Sequence, residues 1–202
     1  MARLIIYYAH PGHRFSRANR AMAASARENV GITFADLYAE YPRHNIDVAR
    51  EQERLLQHDV ILFQFPLFWY STPSLLKEWQ DLVLEHGFAY GAGGNRLDGK
   101  KMMLALTTAG PSEAYSRAGY QQYPLRTFLT PLEQTAHLCG MSFVPPYVLH
   151  AALSGDETGE IGRHSAGYVR LIQAIRDDTF DFDAAAGRAI LTHADLPLLS
   201  RS

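Results

Sequence analysis

The sequence predicts an α/β protein: an open parallel sheet with helices on both faces. Three observations predict it. The apolar runs RLIIYY (3–8) and DVILFQF (59–65) are continuous, as strands are when helices cover both their faces. Stretches of helical periodicity separate the apolar runs, so strand and helix alternate along the chain. The length of 202 residues suits a single core.

Each element follows from local signals. The run at 3–8 is the first strand, and SRANRAMAASARENV (16–30) is the first helix, opening on a Ser cap and stopping before Gly31. GITFADL (31–37) is shorter and alternates, which places it nearer an edge. VAREQERLLQH (48–58) is a helix capped by Asp47, and 59–65 is the second buried strand. TPSLLKEWQDLVLEH (72–86) is a helix with Pro73 in its first turn and a stop at Gly87; Trp79 falls on its core face. KKMMLALTT (100–108) is a third buried strand between Gly99 and Ala109-Gly110-Pro111. PLRTFLTPLEQTAHLCG (124–140) is helical, with a break or kink expected at Pro131. MSFVPPYVLH (141–150) is an outer strand, because Pro145-Pro146 cannot donate to a central ladder. RHSAGYVRLIQAIRDD (163–178) is the last clear helix. We therefore read residues 1–178 as one ligand-binding domain and 179–202 as a tail without clear period, packed as an arm or mobile.

Composition narrows the function. A hydrophobic fraction of 47% and a charged fraction of 20% are those of a folded globular protein. The net charge of −2 provides no basic footprint for nucleic acid. A single cysteine, Cys139, excludes an internal disulfide framework and a cysteine-rich zinc site, and fits a reducing compartment. The N-terminal apolar stretch is shorter than a signal-peptide core, and no run approaches a membrane span. An intracellular, soluble protein is expected.

In such a sheet a ligand binds beyond the carboxyl ends of the strands. Three segments lie there. AHPGHRFSRAN (9–19) carries His10, then Ser16, Arg17, Ala18 and Asn19 at a helix start, where unpaired N–H groups and a partial positive charge favour phosphate. PLFWYSTP (66–73) places Leu67, Phe68, Trp69 and Tyr70 on a loop; these rings either fold back as packing, cover a dimer interface, or wait for a flat conjugated ligand. TTAGPSEAYSRAGYQQYP (107–124) leaves a central strand through Thr107, Thr108, Ala109 and Gly110, small enough for close backbone approach, before Tyr115, Tyr120 and Tyr123. Neither GxGxxG nor GxxxxGK[ST] is present, which argues against a Rossmann dinucleotide site and a nucleoside triphosphatase. A phosphate seat, an aromatic wall and a small-residue platform together fit flavin mononucleotide.

The same motifs carry a resemblance. The segments at 8–19, 63–91 and 106–110 resemble the flavodoxin-like NAD(P)H:quinone oxidoreductases of the DT-diaphorase type. LYAEYPRHNIDVAREQ, GKKMMLALTTAG and CGMSFVPPYVLH are most similar to the ancillary flavoproteins of glutathione-gated potassium efflux systems, the KefF/KefG-like group. The resemblance implies a flavodoxin-like three-layer sandwich with five parallel strands in the order 2-1-3-4-5. It implies a homodimer in which FMN, favoured over FAD by the short chain, takes hydride from NAD(P)H and passes it to a quinone in a two-step shuttle. Cofactor contacts implied by motif are His10, Ser16, Arg17, Ala18, Asn19, Leu67, Phe68, Trp69, Tyr70, Thr107, Thr108, Ala109 and Gly110. Tyr115 falls on the family's active-site tyrosine, Tyr120 can share its role, and Gln121 stands where mammalian-type enzymes carry a histidine.

Two other functions are weighed. The protein could instead regulate a membrane potassium efflux transporter, with a cytoplasmic location and a peripheral seat at the inner membrane face. His10 and His13 could share a metal in a hydrolase, but the nearest acidic residues in sequence, Glu28 and Asp36, are distant, and no metal ligands are assigned.

Overall fold

The computed structural model describes residues 1–154 and 159–199. Its sheet is built on β1 (Leu4–Tyr8), every residue of which is buried. β1 pairs in parallel with β2 (Ile32–Asp36) on one side and β3 (Val60–Pro66) on the other. β3 continues to β4 (Lys101–Thr107), giving the order β2-β1-β3-β4-β5, as the resemblance implies. The stretch expected as one outer strand forms two, β5 (Ser142–Phe143) and β6 (Tyr147–Leu149), both parallel to β4. Pro145 and Pro146 lie between them without an N–H to donate, so the ladder is interrupted there and a sixth short strand results.

Residue alternation sorts the core onto the two faces of the sheet. Leu4, Ile6, Leu62 and Met103 pack with Met22 of α1 (Arg17–Arg27) and with Tyr168, Leu171 and Ile175 of α6 (Glu160–Arg176). Ile5, Tyr7, Phe63 and Leu104 pack with Leu55 of α3 (Val48–Gln57), Trp79 of α4 (Ser74–Val83) and Leu129 of α5 (Leu125–Leu138). A carboxylate lies within this second layer. Glu51 is wholly buried and accepts hydrogen bonds from Tyr41 Oη at 2.5 Å, Arg54 Nη1 at 2.8 Å and Trp79 Nε1 at 3.2 Å.

Two local expectations change. Pro131 does not break α5, which runs from Leu125 to Leu138 as one helix. The proline removes a hydrogen bond to the Thr127 carbonyl, and Thr130 Oγ1 supplies a replacement at 3.0 Å. Pro73 sits at the N-cap of α4 rather than inside its first turn. Two short helices lacked periodicity to reveal them: α2 (Leu37–Glu40), capped by Asp36, and α7 (Phe182–Ala186), capped by Asp181. The segment after α6 is tied to the sheet: Val148 N donates to Leu191 O at 2.9 Å, and Leu191 is fully buried. Residues 200–202 of the expected tail lie outside the described residues. Among the described residues no helix is long and apolar enough to cross a membrane.

Candidate functional site

The parallel register brings the carboxyl ends of β1, β3 and β4 side by side, pairing Tyr8 with Gln64 and Pro66 with Thr107. The three predicted segments leave the sheet there and enclose one cavity of about 560 Å³. From the first it draws His10, Ser16, Arg17, Ala18 and Asn19, from the second Leu67 and Phe68, and from the third Thr107, Thr108 and Ala109.

Chain geometry fixes the first wall. The Ser16 side chain accepts from Asn19 N at 3.2 Å, capping α1 and aiming its first turn at the cavity. His10 is buried, and its Nδ1 accepts from Gly12 N at 3.1 Å, so the neutral ring carries its hydrogen on Nε2. Burial, and then the neighbouring His13, push the His10 pKa down. His13 Nδ1 is 2.7 Å from Tyr8 Oη. Among the described residues no group of three or more His, Cys, Asp or Glu gathers as metal ligands.

Asn19 is held through its side-chain nitrogen and its backbone carbonyl. Its Nδ2 donates to Thr107 Oγ1 at 2.9 Å, and its carbonyl oxygen accepts from Gln64 Nε2 at 3.0 Å. Its side-chain oxygen, on a residue 2% exposed, has no partner among the described residues. An unmet buried acceptor is costly by about 1–3 kcal/mol, and a donor in the cavity would relieve that.

The second wall departs from expectation. Phe68 and Ser71 close a tight turn through mutual backbone hydrogen bonds of 3.1 and 3.0 Å. Trp69 (φ 48°) and Tyr70 (φ 64°) occupy its centre in the left-handed region, where Asn-Gly is usual. Neither residue lines the cavity: Trp69 is 92% exposed, and the Tyr70 ring stacks on Phe128 of α5 at 4.8 Å. Phe68 does face the cavity, with its ring edge-on to His10 at 5.7 Å.

In the third segment the Thr108 hydroxyl donates to Gly110 O at 2.8 Å. A side chain at Gly110 would put its Cβ 2.6 Å from Tyr120 Oη, so the tyrosine's approach depends on glycine. Gly110, Tyr115, Tyr120 and Gln121 all stand outside the cavity lining. Gln121 closes the loop through its backbone, donating to Ala114 O at 3.2 Å. Tyr115 lies between the rings of Phe128 (6.2 Å) and His150 (5.5 Å).

Sequence reasoning missed a fourth segment. Ala152 and Leu153, beyond β6, complete the cavity together with Gly12, Phe15 and Pro66. The available signal was strand direction: β6 is parallel to β4, so its following loop must emerge at the same edge. The double proline concealed it by obscuring where that strand ends.

The Flavodoxin_2 family, described by its flavodoxin-like fold, matches residues 1–171. The ancillary protein KefG of the glutathione-regulated potassium-efflux system of Cronobacter sakazakii is 43% identical over 169 residues, covering 84% of this chain and 91% of its own. The crystal structure of general stress protein 14 from Treponema denticola in complex with FMN shares 34% identity at a TM-score of 0.81, over 86% of this chain and 99% of its own. An NADPH-quinone reductase of P. pentosaceus shares 27% identity at a TM-score of 0.73, over 84% and 96% of the two chains.

Proposed function

The chain belongs to the flavodoxin-like Flavodoxin_2 family, and from that premise we propose that it is an FMN-dependent oxidoreductase passing electrons from NAD(P)H to quinone-type acceptors. One observation carries the reading: three strand-end segments enclose a single cavity whose wall bears the buried, unpartnered Asn19 oxygen. The residues fit the cofactor. The capped start of α1 is suited to a phosphate, Asn19 to a hydroxyl donor of the sugar chain, and Phe68 with Thr107–Ala109 to the edge and face of a planar ring. Bound there, FMN would supply the two-electron hydride chemistry that no side chain offers.

The chain's own part is orientation, exclusion of water and supply of a proton. Leu67 N donates to Thr107 O at 2.9 Å, which locks the second and third segments together. His10, neutral and buried, presents its Nε2 hydrogen as a donor without adding positive charge. Tyr115 is the phenol beside this wall, and burial raises its pKa, so it is held protonated. Nicotinamide and acceptor would use one opening in turn. The test is steady-state kinetics with NADPH or NADH and a quinone: parallel double-reciprocal lines are expected, and intersecting lines would contradict alternate use of one cleft.

A second reading rests on the likeness to KefG: the protein docks on a potassium efflux transporter as an ancillary subunit, from the cytoplasmic side and as a homodimer. Exposed Trp69, Tyr120 and Tyr123 provide the aromatic rim that a second copy would cover. Light scattering distinguishes one chain from two, and co-purification with transporter-bearing membranes tests the docking. The two readings are compatible.

A further inference from the structure

β6 is three residues long and follows Pro145 and Pro146, which have no N–H to donate. So short a strand has few ladder bonds to hold it, and its outer side is an open edge. The segment 187–199, which follows α7, closes that edge as a strap. Val148 N donates to Leu191 O at 2.9 Å and Leu191 N donates to Pro146 O at 2.8 Å, so Leu191 takes the place of a further strand, with its side chain fully buried. Two residues on, the strap crosses α6. Arg170 Nη2 donates to His193 O at 2.6 Å, and His193 Nδ1 lies 3.3 Å from Glu160 Oε1 in the first turn of α6. Gly167 admits this crossing, because a Cβ there would collide with His193 and with Tyr147 Oη. The strap lies beyond residue 171, where the family match ends.

These two anchors bracket the segment from which Ala152 and Leu153 line the cavity. On the inner side of β6, Thr108 N donates to Leu149 O and Ala152 N to Thr108 O, both at 2.9 Å. Leu149 of β6 and Ile161 of α6 also form a small core with Ala18, against which Ala21 and Ala152 pack. Ala18 stands in the first turn of α1, the turn aimed at the cavity. Whatever holds β6 and the start of α6 in place therefore also holds the floor under that turn.

We propose that the strap is a positioning element of the ligand site. Leu191 and His193 fix β6 and the start of α6, and through Leu149, Ile161 and Ala152 they set the phosphate-binding turn of α1 against the Ala152–Leu153 wall. The proposal rests on the FMN reading. None of residues 187–199 lines the cavity, so the strap acts on the shape of its phosphate end and not on the ligand directly. A turn already held in its binding position loses little freedom when the ligand arrives. A phosphate-bearing flavin thus depends on the strap more than the same ring system without phosphate.

Two full-length variants loosen the strap. Arg170→Ala combined with His193→Ala removes its side-chain contacts to α6 without opening the core, and Leu191→Ala weakens its hold on β6. In the protein without ligand, amide exchange at Ala152 should quicken about tenfold in each. FMN affinity, read by quenching of flavin fluorescence, should fall about tenfold, while riboflavin affinity stays within about twofold of wild type. Leu199→Ala, half-exposed at the far end of the strap, should change neither. Wild-type exchange at Ala152 in either folded variant, or an equal loss of FMN and riboflavin affinity, would overturn the proposal. If Leu191→Ala does not fold, the double variant decides alone. A wild-type protein that binds no flavin would sink the FMN reading, while exchange at Ala152 still decides whether the strap positions this wall.

Discussion

Trp69 combines two unfavourable features, a left-handed backbone at φ 48° and a large ring 92% exposed. For a residue with a side chain, the left-handed conformation costs about 1–2 kcal/mol, and such strain is found where function requires it. Packing does not account for the ring, although it does account for its neighbour Tyr70, stacked on Phe128. Trp69→Gly should therefore raise stability by about 1 kcal/mol, seen as a higher denaturant midpoint, while weakening cofactor retention or acceptor turnover. Unchanged retention and turnover would assign the ring to a protein partner. Glu51 is the opposite case, a carboxylate hidden in the core with three donors around it. Glu51→Gln removes the charge that pairs with Arg54, and a loss of about 3 kcal/mol is expected in urea denaturation. A loss below about 1 kcal/mol would mean that hydrogen bonding alone, without charge, holds the network.

Among the elements, α6 brings a pH response of its own. His164 is 1% exposed, neither ring nitrogen has a hydrogen-bond partner among the described residues, and burial depresses its pKa to about 3. The unfolded chain, with an imidazole near 6.5, binds the proton more readily than the folded one. The neutral buried ring thus favours folding fully above about 6.5, and that contribution fades as pH falls toward about 3. Replacing His164 with Asn should flatten the acid side of a plot of stability against pH; an unchanged slope would place the acid sensitivity elsewhere. The elements were also the most legible part of the sequence. Continuous apolar runs gave β1, β3 and β4, and Asp47 and Ser16 marked their helices because each side chain caps its own first turn. What escaped were features decided by single hydrogen bonds: the Thr130 contact that carries α5 through Pro131, and the side-chain caps that make helices of α2 and α7.

At the scale of the whole molecule, parallel register turns three separate sequence segments into one cavity. That convergence was legible because strand order and direction fix which loops meet. The fates of individual side chains were not, since they depend on contacts between elements far apart in sequence. Phe128 draws Tyr70 and Tyr115 toward α5, and the loop beyond β6 contributes Ala152 and Leu153. The central claim is that these walls hold FMN. Its most direct test is the absorption spectrum of the purified protein, or of the protein reconstituted with FMN, together with the mass of the chromophore released on denaturation. Flavin bands, one FMN per chain, and loss of that retention in Asn19→Ala at unchanged fold are expected. A colourless protein that takes up no flavin would contradict it.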